Sequence, residues 1–205
     1  MTQTMTKPSL IKTLLLSPAD GWPAIQQADL SIAEVYLRHV VPLAMITPIC
    51  GYIGATQVGW PVPGADTLFM TPQSAFRIAV LSFLATLVAV LVIGKMIQWM
   101  GQTYEAQQSL SRCVSLAAYT ITPLLLIGFA TLYPPPWFIY LLGLPALGYS
   151  VFLLYSGVPV MMEITPERGF LFSSAILTVG LIALVGLIGV TVSMWSFGLG
   201  PGFAH

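Results

Sequence analysis

Arg38 and His39 put a permanent cation and a titratable ring side by side within an apolar stretch. Glu34 stands one turn before Arg38. Two readings of this trio are open. In the first, Arg38 lies near a span end, extends its guanidinium to the headgroups and pairs with Glu34 at ordinary i, i+4 spacing. In the second, the alternative, the three form a proton- or anion-linked site. Arg77 is the other conspicuous cation. It either snorkels outward, pairs with Asp66 or holds a ligand. Glu163 and Glu167 read as a solvated surface, and the remaining histidine is the terminal His205.

The chain contains no HExxH, GxSxG or P-loop pattern. Cys50 and Cys113 sit in apolar runs without CxxC spacing, which argues against a disulfide framework and a zinc site. Met96, Met100, Met161 and Met162 read as core gap-fillers rather than soft-metal ligands. No catalytic residue, cofactor site or metal site is therefore expected. Seven basic residues balance seven acidic ones, so no basic stripe marks a nucleic-acid partner.

The elements that must carry these residues follow from composition. Of 205 residues, 57% are hydrophobic and 7% charged, too few charges to coat a soluble globule. A helix needs about 20 apolar residues to cross a bilayer. Residues 35–55, 76–100, 113–132, 137–154 and 170–197 qualify. Helices are expected throughout, because lipid offers no partner to backbone groups. The predicted class is an all-α polytopic membrane protein, a bundle of five transmembrane helices. Residues 1–30 form a short amphipathic helical segment, 31–197 the membrane domain and 198–205 a short tail.

Helix starts are marked. Ser31-Ile-Ala-Glu34 has the form of a capping box, with Leu30 and Val35 as its staple. Thr71-Pro72 and Thr165-Pro166 each place a hydroxyl before a first-turn proline. With the N-terminus cytoplasmic, Lys7, Lys12, Arg38, Lys95, Arg112 and Arg168 lie inside and only Arg77 outside, as the positive-inside rule favours. An odd number of spans puts the C-terminus on the opposite side. The N-terminal helices, over 9–16 and 17–27, either lie in the interface or cap the bundle.

Proline is the main irregularity within the spans. Pro42 and Pro48 interrupt the first, Pro123 the third and Pro145 the fourth, each freeing a carbonyl four residues earlier. Near Pro123 the hydroxyl of Thr120 or Thr122 can serve the freed Tyr119 carbonyl. Such kinks either shape a bundle or line a cavity. In the fifth span Gly180, Ala183, Gly186 and Gly189 form a small-residue face suited to close helix approach, within the chain or with a second copy.

Several motifs together resemble the Yip (Ypt-interacting protein) family. They are Gly101-Gln102-Thr103, Arg112 and Ala118-Tyr119-Thr120-Ile121-Thr122-Pro123. Further on come Tyr149, Tyr155-Ser156-Gly157-Val158-Pro159 and Pro166-Glu167-Arg168. Leu16-Ser17-Pro18 with Trp22 and Ile25 is similar to the bacterial branch. The resemblance spans residues 10–192. It implies five spans, a cytoplasmic N-terminus, an inner-membrane location and no catalytic residues. Eukaryotic members are associated with Rab-type GTPases and vesicle traffic. That partnership is not expected here, because the cytoplasmic segments are short and the long N-terminal region of those members is absent. Tyr119, Pro123, Tyr155, Gly157 and Pro159 match the pattern and read as determinants of helix shape and packing.

Two functions follow as expectations. The first is a non-enzymatic scaffold, or a membrane-organisation or trafficking-type factor, acting through lipids, membrane or peripheral proteins, or a second copy of itself. The second is a small channel or transporter through a proline-kinked bundle, for which Arg38, His39, Pro42, Arg77, Tyr119, Pro123, Tyr155 and Pro159 are the residues to inspect. An intramembrane enzyme is disfavoured, since no nucleophile–base pair is visible.

Overall fold

The computed structural model describes residues 10–61, 66–194 and 202–204. Lys7 and most of the expected tail lie outside them. The chain opens with two short helices, α1 (Leu10–Leu16) and α2 (Pro18–Ala28). Ser17 separates them, and its hydroxyl bonds Asp20 Oδ2 at 2.5 Å. Helix α2 ends at Asp29 in the left-handed region, φ 39°.

The capping box is present. Ser31 Oγ accepts from the Glu34 N–H while the Glu34 carboxylate accepts from the Ser31 N–H. It starts α3 (Ile32–Val35), which leads through a π turn (Tyr36–Val40) into α4 (Val41–Ala44) and, past Met45, into α5 (Ile46–Ile53). A second π turn, Gly54–Val58, ends the segment at Gly59, φ 69°. Pro42 and Pro48 each stand in the first turn of a re-nucleated helix, where a missing N–H costs no ladder bond.

Helix α6 (Pro72–Gly101) is uninterrupted. Thr71 precedes it as expected, but its hydroxyl donates to the Gly202 carbonyl at 3.3 Å instead of capping its own helix. The reason is competition from the chain end: Phe69–Met70 (β1) and Phe203–Ala204 (β2) pair antiparallel beside it. The segment between the first span and α6 carries this small pairing and a bridge between Trp60 and Leu68.

Helix α7 (Leu110–Thr120) meets α8 (Thr122–Leu126), extended by a 3-10 stretch to Leu132, at a bend of 49°. After the aromatic Tyr133–Trp137 turn, α9 (Pro136–Met162) follows. The interruption expected at Pro145 does not end the helix, since α9 runs through both Pro145 and Pro159. One lost bond in 27 residues is outweighed by the intact turns on either side. Last comes α10 (Pro166–Met194).

Among the described residues, three helices are long and apolar enough to cross a membrane: Ile32–Val58, Pro72–Gly101 and Pro136–Met162. The bent pair α7–α8 makes a fourth if it counts as one span. The main core gathers Leu14 and Trp22 from the N-terminal helices, Ile97 from α6, Leu116 from α7, Leu153 from α9 and Phe172 from α10. Leucines and valines stay exposed along α6, α9 and α10, Leu81, Val88, Leu144 and Val185 among them. A bilayer solvates such surfaces, whereas water would not.

Candidate functional site

The π turn widens the first span by one residue just before Pro42, so that the Val41 N–H reaches back to Tyr36 O. Such insertions frequently accompany functional sites. Adjacent helical residues do not share a face, and the two neighbours here differ sharply in exposure. Arg38 faces outward, its side chain 71% exposed, 3.6 Å from Glu34. His39 turns inward and is 2% exposed. The joint-site alternative is thus divided between two faces, while Arg38 and Glu34 make the i, i+4 pair of the other reading.

His39 meets the α7–α8 bend. Its ring stacks on Tyr119, centroids 4.1 Å apart. Its Nε2 lies 3.0 Å from Thr122 Oγ1 and 3.3 Å from Ala118 O. The Thr122 hydroxyl donates to Tyr119 O at 2.7 Å. That carbonyl is the one Pro123 leaves without its helical donor. These bonds assign the tautomer: since Thr122 donates onward, its oxygen accepts from His39 Nε2–H, and Nδ1 carries the lone pair. The chain therefore runs His39 to Thr122 to Tyr119 O. It satisfies a backbone acceptor that hydrocarbon could not. Nδ1 and Thr120 Oγ1 are buried without a hydrogen-bond partner among the described residues.

Of the eight residues singled out, His39, Tyr119 and Pro123 come together, with Pro42 just beyond the π turn. Arg77 is exposed at the start of α6 and makes no ion pair with Asp66 among the described residues. The Tyr155 hydroxyl meets Ser174 Oγ at 2.8 Å and so ties α9 to α10. Pro159 packs against Gly169, where a Cβ would come within 2.5 Å of the proline ring. Each of these three works at its own place.

Two tertiary clasps rest on residue pairs that the sequence reading did not name, although the first seats the N-terminal helices on the bundle as its capping alternative has it. Trp22, 1% exposed, covers Gly157, where a Cβ would stand 2.5 Å from the indole, and donates to Ser156 Oγ at 3.1 Å. Tyr149 donates to Leu15 O at 2.8 Å, so the N-terminal helices lie on α9. The Trp22–Gly157 pairing of a bulky and a bare position was a signal in the sequence, but 135 residues of separation hid it. The second clasp centres on Glu163, which was expected to be merely solvated. Arg112 Nη1 donates to Glu163 Oε1 at 2.8 Å and to Gln108 Oε1 at 2.7 Å. Gln26 Nε2 reaches the same carboxylate oxygen at 2.9 Å and Val160 O at 3.1 Å. Gln108 Nε2 reaches Met162 O at 3.2 Å. The last carbonyls of α9 thereby find donors, and α2, α7 and α9 are joined at one end.

Among the described residues, cavities flank the bundle. One, about 740 Å³, borders Lys95 and Trp99. Another, about 280 Å³, lies among Thr47, Gly51, Tyr52, Ala75 and Thr131. Neither is lined by His39 or Thr122.

The sequence is similar to known proteins. It is 37% identical over 185 residues to the inner membrane protein YohC of Escherichia coli strain K12, which covers 90% of this chain and 95% of that one. The same figures hold for YohC of Escherichia coli O6:H1. No solved structure matches. The Yip1 domain matches residues 12–187, a stretch that includes the His39–Thr122 contact, both clasps and most of every long helix. The chain belongs to the Yip1 domain family.

Proposed function

We propose that this protein is a five-crossing, non-enzymatic component of the bacterial inner membrane that acts through lipid or protein partners, as a scaffold or membrane-organisation or trafficking-type factor. The observation that carries this reading is where the buried polar groups are spent. His39 and Thr122 serve a backbone carbonyl that Pro123 leaves free, not a substrate cavity. Glu163 and Arg112 hold helix ends together. No group of three metal-ligating side chains occurs among the described residues. The inner-membrane location draws on the printed name of the YohC relatives.

Five crossings are supported by the ends of α10. Near its start, Arg168 pairs with Glu105 in the loop after α6. Beyond its other end, Gly202 bonds Thr71 and Ser74 at the start of α6. Helix α6 alone is long enough to span, so α10 must cover the same distance. A cytoplasmic N-terminus follows from the basic residues, with the C-terminus opposite.

Quantitative in-membrane cross-linking from exposed Leu37 and Trp99, scored for proteins and lipids against an unrelated five-span protein, tests the partner reading. Enrichment of a defined partner supports it, and labelling equal to the control at both positions overturns it. A second reading, a small channel or transporter, draws on His39 Nδ1 and Thr120 Oγ1, which are buried without partners. Solute flux in proteoliposomes that His39→Ala abolishes would favour it over the first.

A further inference from the structure

One face of α6 changes character along its length. Leu81, Leu84, Val88 and Val92 recur at three- and four-residue spacing and are all exposed. The same stripe continues through Lys95, Trp99 and Gln102. From Leu84 to Lys95 is about 16 Å of helix, close to half the thickness of a hydrocarbon core. An apolar track one leaflet long thus ends at a cation, an indole that is 73% exposed and a carboxamide.

That end is concave. The groove of about 740 Å³ is lined by Val92, Lys95, Gln98, Trp99, Gln102 and Gln107, with the loop after α6 as its far wall. Gln98 donates to Gln108 O at 3.4 Å, which fixes the loop against the helix. The carboxylates bordering this region are engaged elsewhere: Glu105 holds Arg168, and Glu163 holds Arg112. Among the described residues Lys95 has no ion-pair partner, and the Gln102 and Gln107 amides have no side-chain hydrogen bond.

We propose that this groove binds an anionic glycerophospholipid. Its phosphate sits at the Lys95 ammonium with glutamine amides as further donors, Trp99 flanks the glycerol region, and an acyl chain runs along Val92, Val88 and Leu84. Charge complementarity requires an anion, and the apolar track fixed to the same site requires that the anion carry a hydrocarbon chain. Trp99 stands where an amphipathic ring favours the interface. The assignment rests on the partner reading above and gives it a lipid class. The two failures are distinguishable: loss of lipid preference at Lys95 leaves enrichment from Leu37 standing, whereas control-level labelling at both Leu37 and Trp99 removes the partner reading itself.

The test uses the purified full chain in detergent, with native mass spectrometry of retained lipid. The probes are phosphatidylglycerol and phosphatidylcholine of equal chain length, glycerol phosphate and a poly-glutamate peptide. Phosphatidylglycerol is expected to be retained over phosphatidylcholine by about fivefold, the contribution of one basic residue at an anionic membrane surface. Lys95→Gln removes the preference, Lys95→Arg keeps it, and Arg77→Gln at the opposite end of α6 leaves it unchanged. Brominated phosphatidylglycerol quenches the emission that Trp99→Phe removes. Equal retention by Lys95→Gln overturns the proposal. So does equal competition by glycerol phosphate, which would mark a free-phosphate site, or preferential binding of poly-glutamate, which would mark a protein-docking site.

Discussion

His39 Nε2 lies 3.0 Å from Thr122 Oγ1, across 83 residues of sequence, and the hydroxyl it supports caps the carbonyl of Tyr119. A proline break and a π turn on two separate spans are thereby joined. The π turn delivers the imidazole, and the proline creates the acceptor at the end of the chain of bonds.

Thr122→Val should unmake that cap. Interhelical polar contacts in membranes average near 0.6 kcal/mol, and an unsatisfied buried acceptor costs about 1–3 kcal/mol, so a loss of about 1–2 kcal/mol is expected. Thr122→Ser should retain most of the stability. A double-mutant cycle with His39→Phe, read by unfolding in mixed micelles, should give a coupling energy clearly above zero. Additive losses would show that the two side chains do not act together.

Trp22→Ala should loosen the N-terminal helices from α9. The indole is almost fully buried, and deletions of this size cost about 3–5 kcal/mol. Gly157→Val should produce the same phenotype from the other side, because a Cβ there collides with the indole. Limited proteolysis between α2 and α3 is the readout. Both variants should be cut faster than the parent, whereas Gly143→Val, which meets open space, should not.

Glu163→Ala should release three elements at once, because Arg112 and Gln26 share Oε1 and Gln108 reaches Oε2 at 3.5 Å. Hydrogen exchange of the 102–108 loop and the α2 end should accelerate together. Charge-assisted bonds of this kind are worth about 1.5–3 kcal/mol when shielded, and less here because the Glu163 side chain is largely exposed. An effect confined to one element would contradict the clasp.

Reporter fusions test the crossings. A periplasmic-active phosphatase after His205 should be active, and one in the 102–108 loop inactive. The reverse result inverts the orientation, and equal activity at both positions refutes an odd number of spans.

Much of the fold was legible before any coordinates. Hydropathy located the long helices, Ser31 and Glu34 announced their capping box, and Pro123 announced a break with Thr122 or Thr120 as its remedy. These signals are local, since a capping bond or a missing N–H acts within four residues. Pro145 misled because proline removes a bond without dictating whether neighbouring turns hold. Arg38 and His39 could be read as one site or as a headgroup-reaching cation beside a separate ring, and only the packing, with Arg38 exposed and His39 buried, shows two environments.

What the sequence alone determined, then, was the bilayer habit, the helix starts and the proline break, all set by composition and short-range bonding. What the tertiary structure decided was which faces meet: His39 with Thr122, Trp22 with Gly157, Arg112 with Glu163. In water, helical periodicity separates a buried face from a solvated one. In a bilayer both the core-facing and the lipid-facing sides are apolar, so the period loses that information. Only packing reveals that His39 is enclosed while the Leu81-to-Lys95 stripe of α6 remains open.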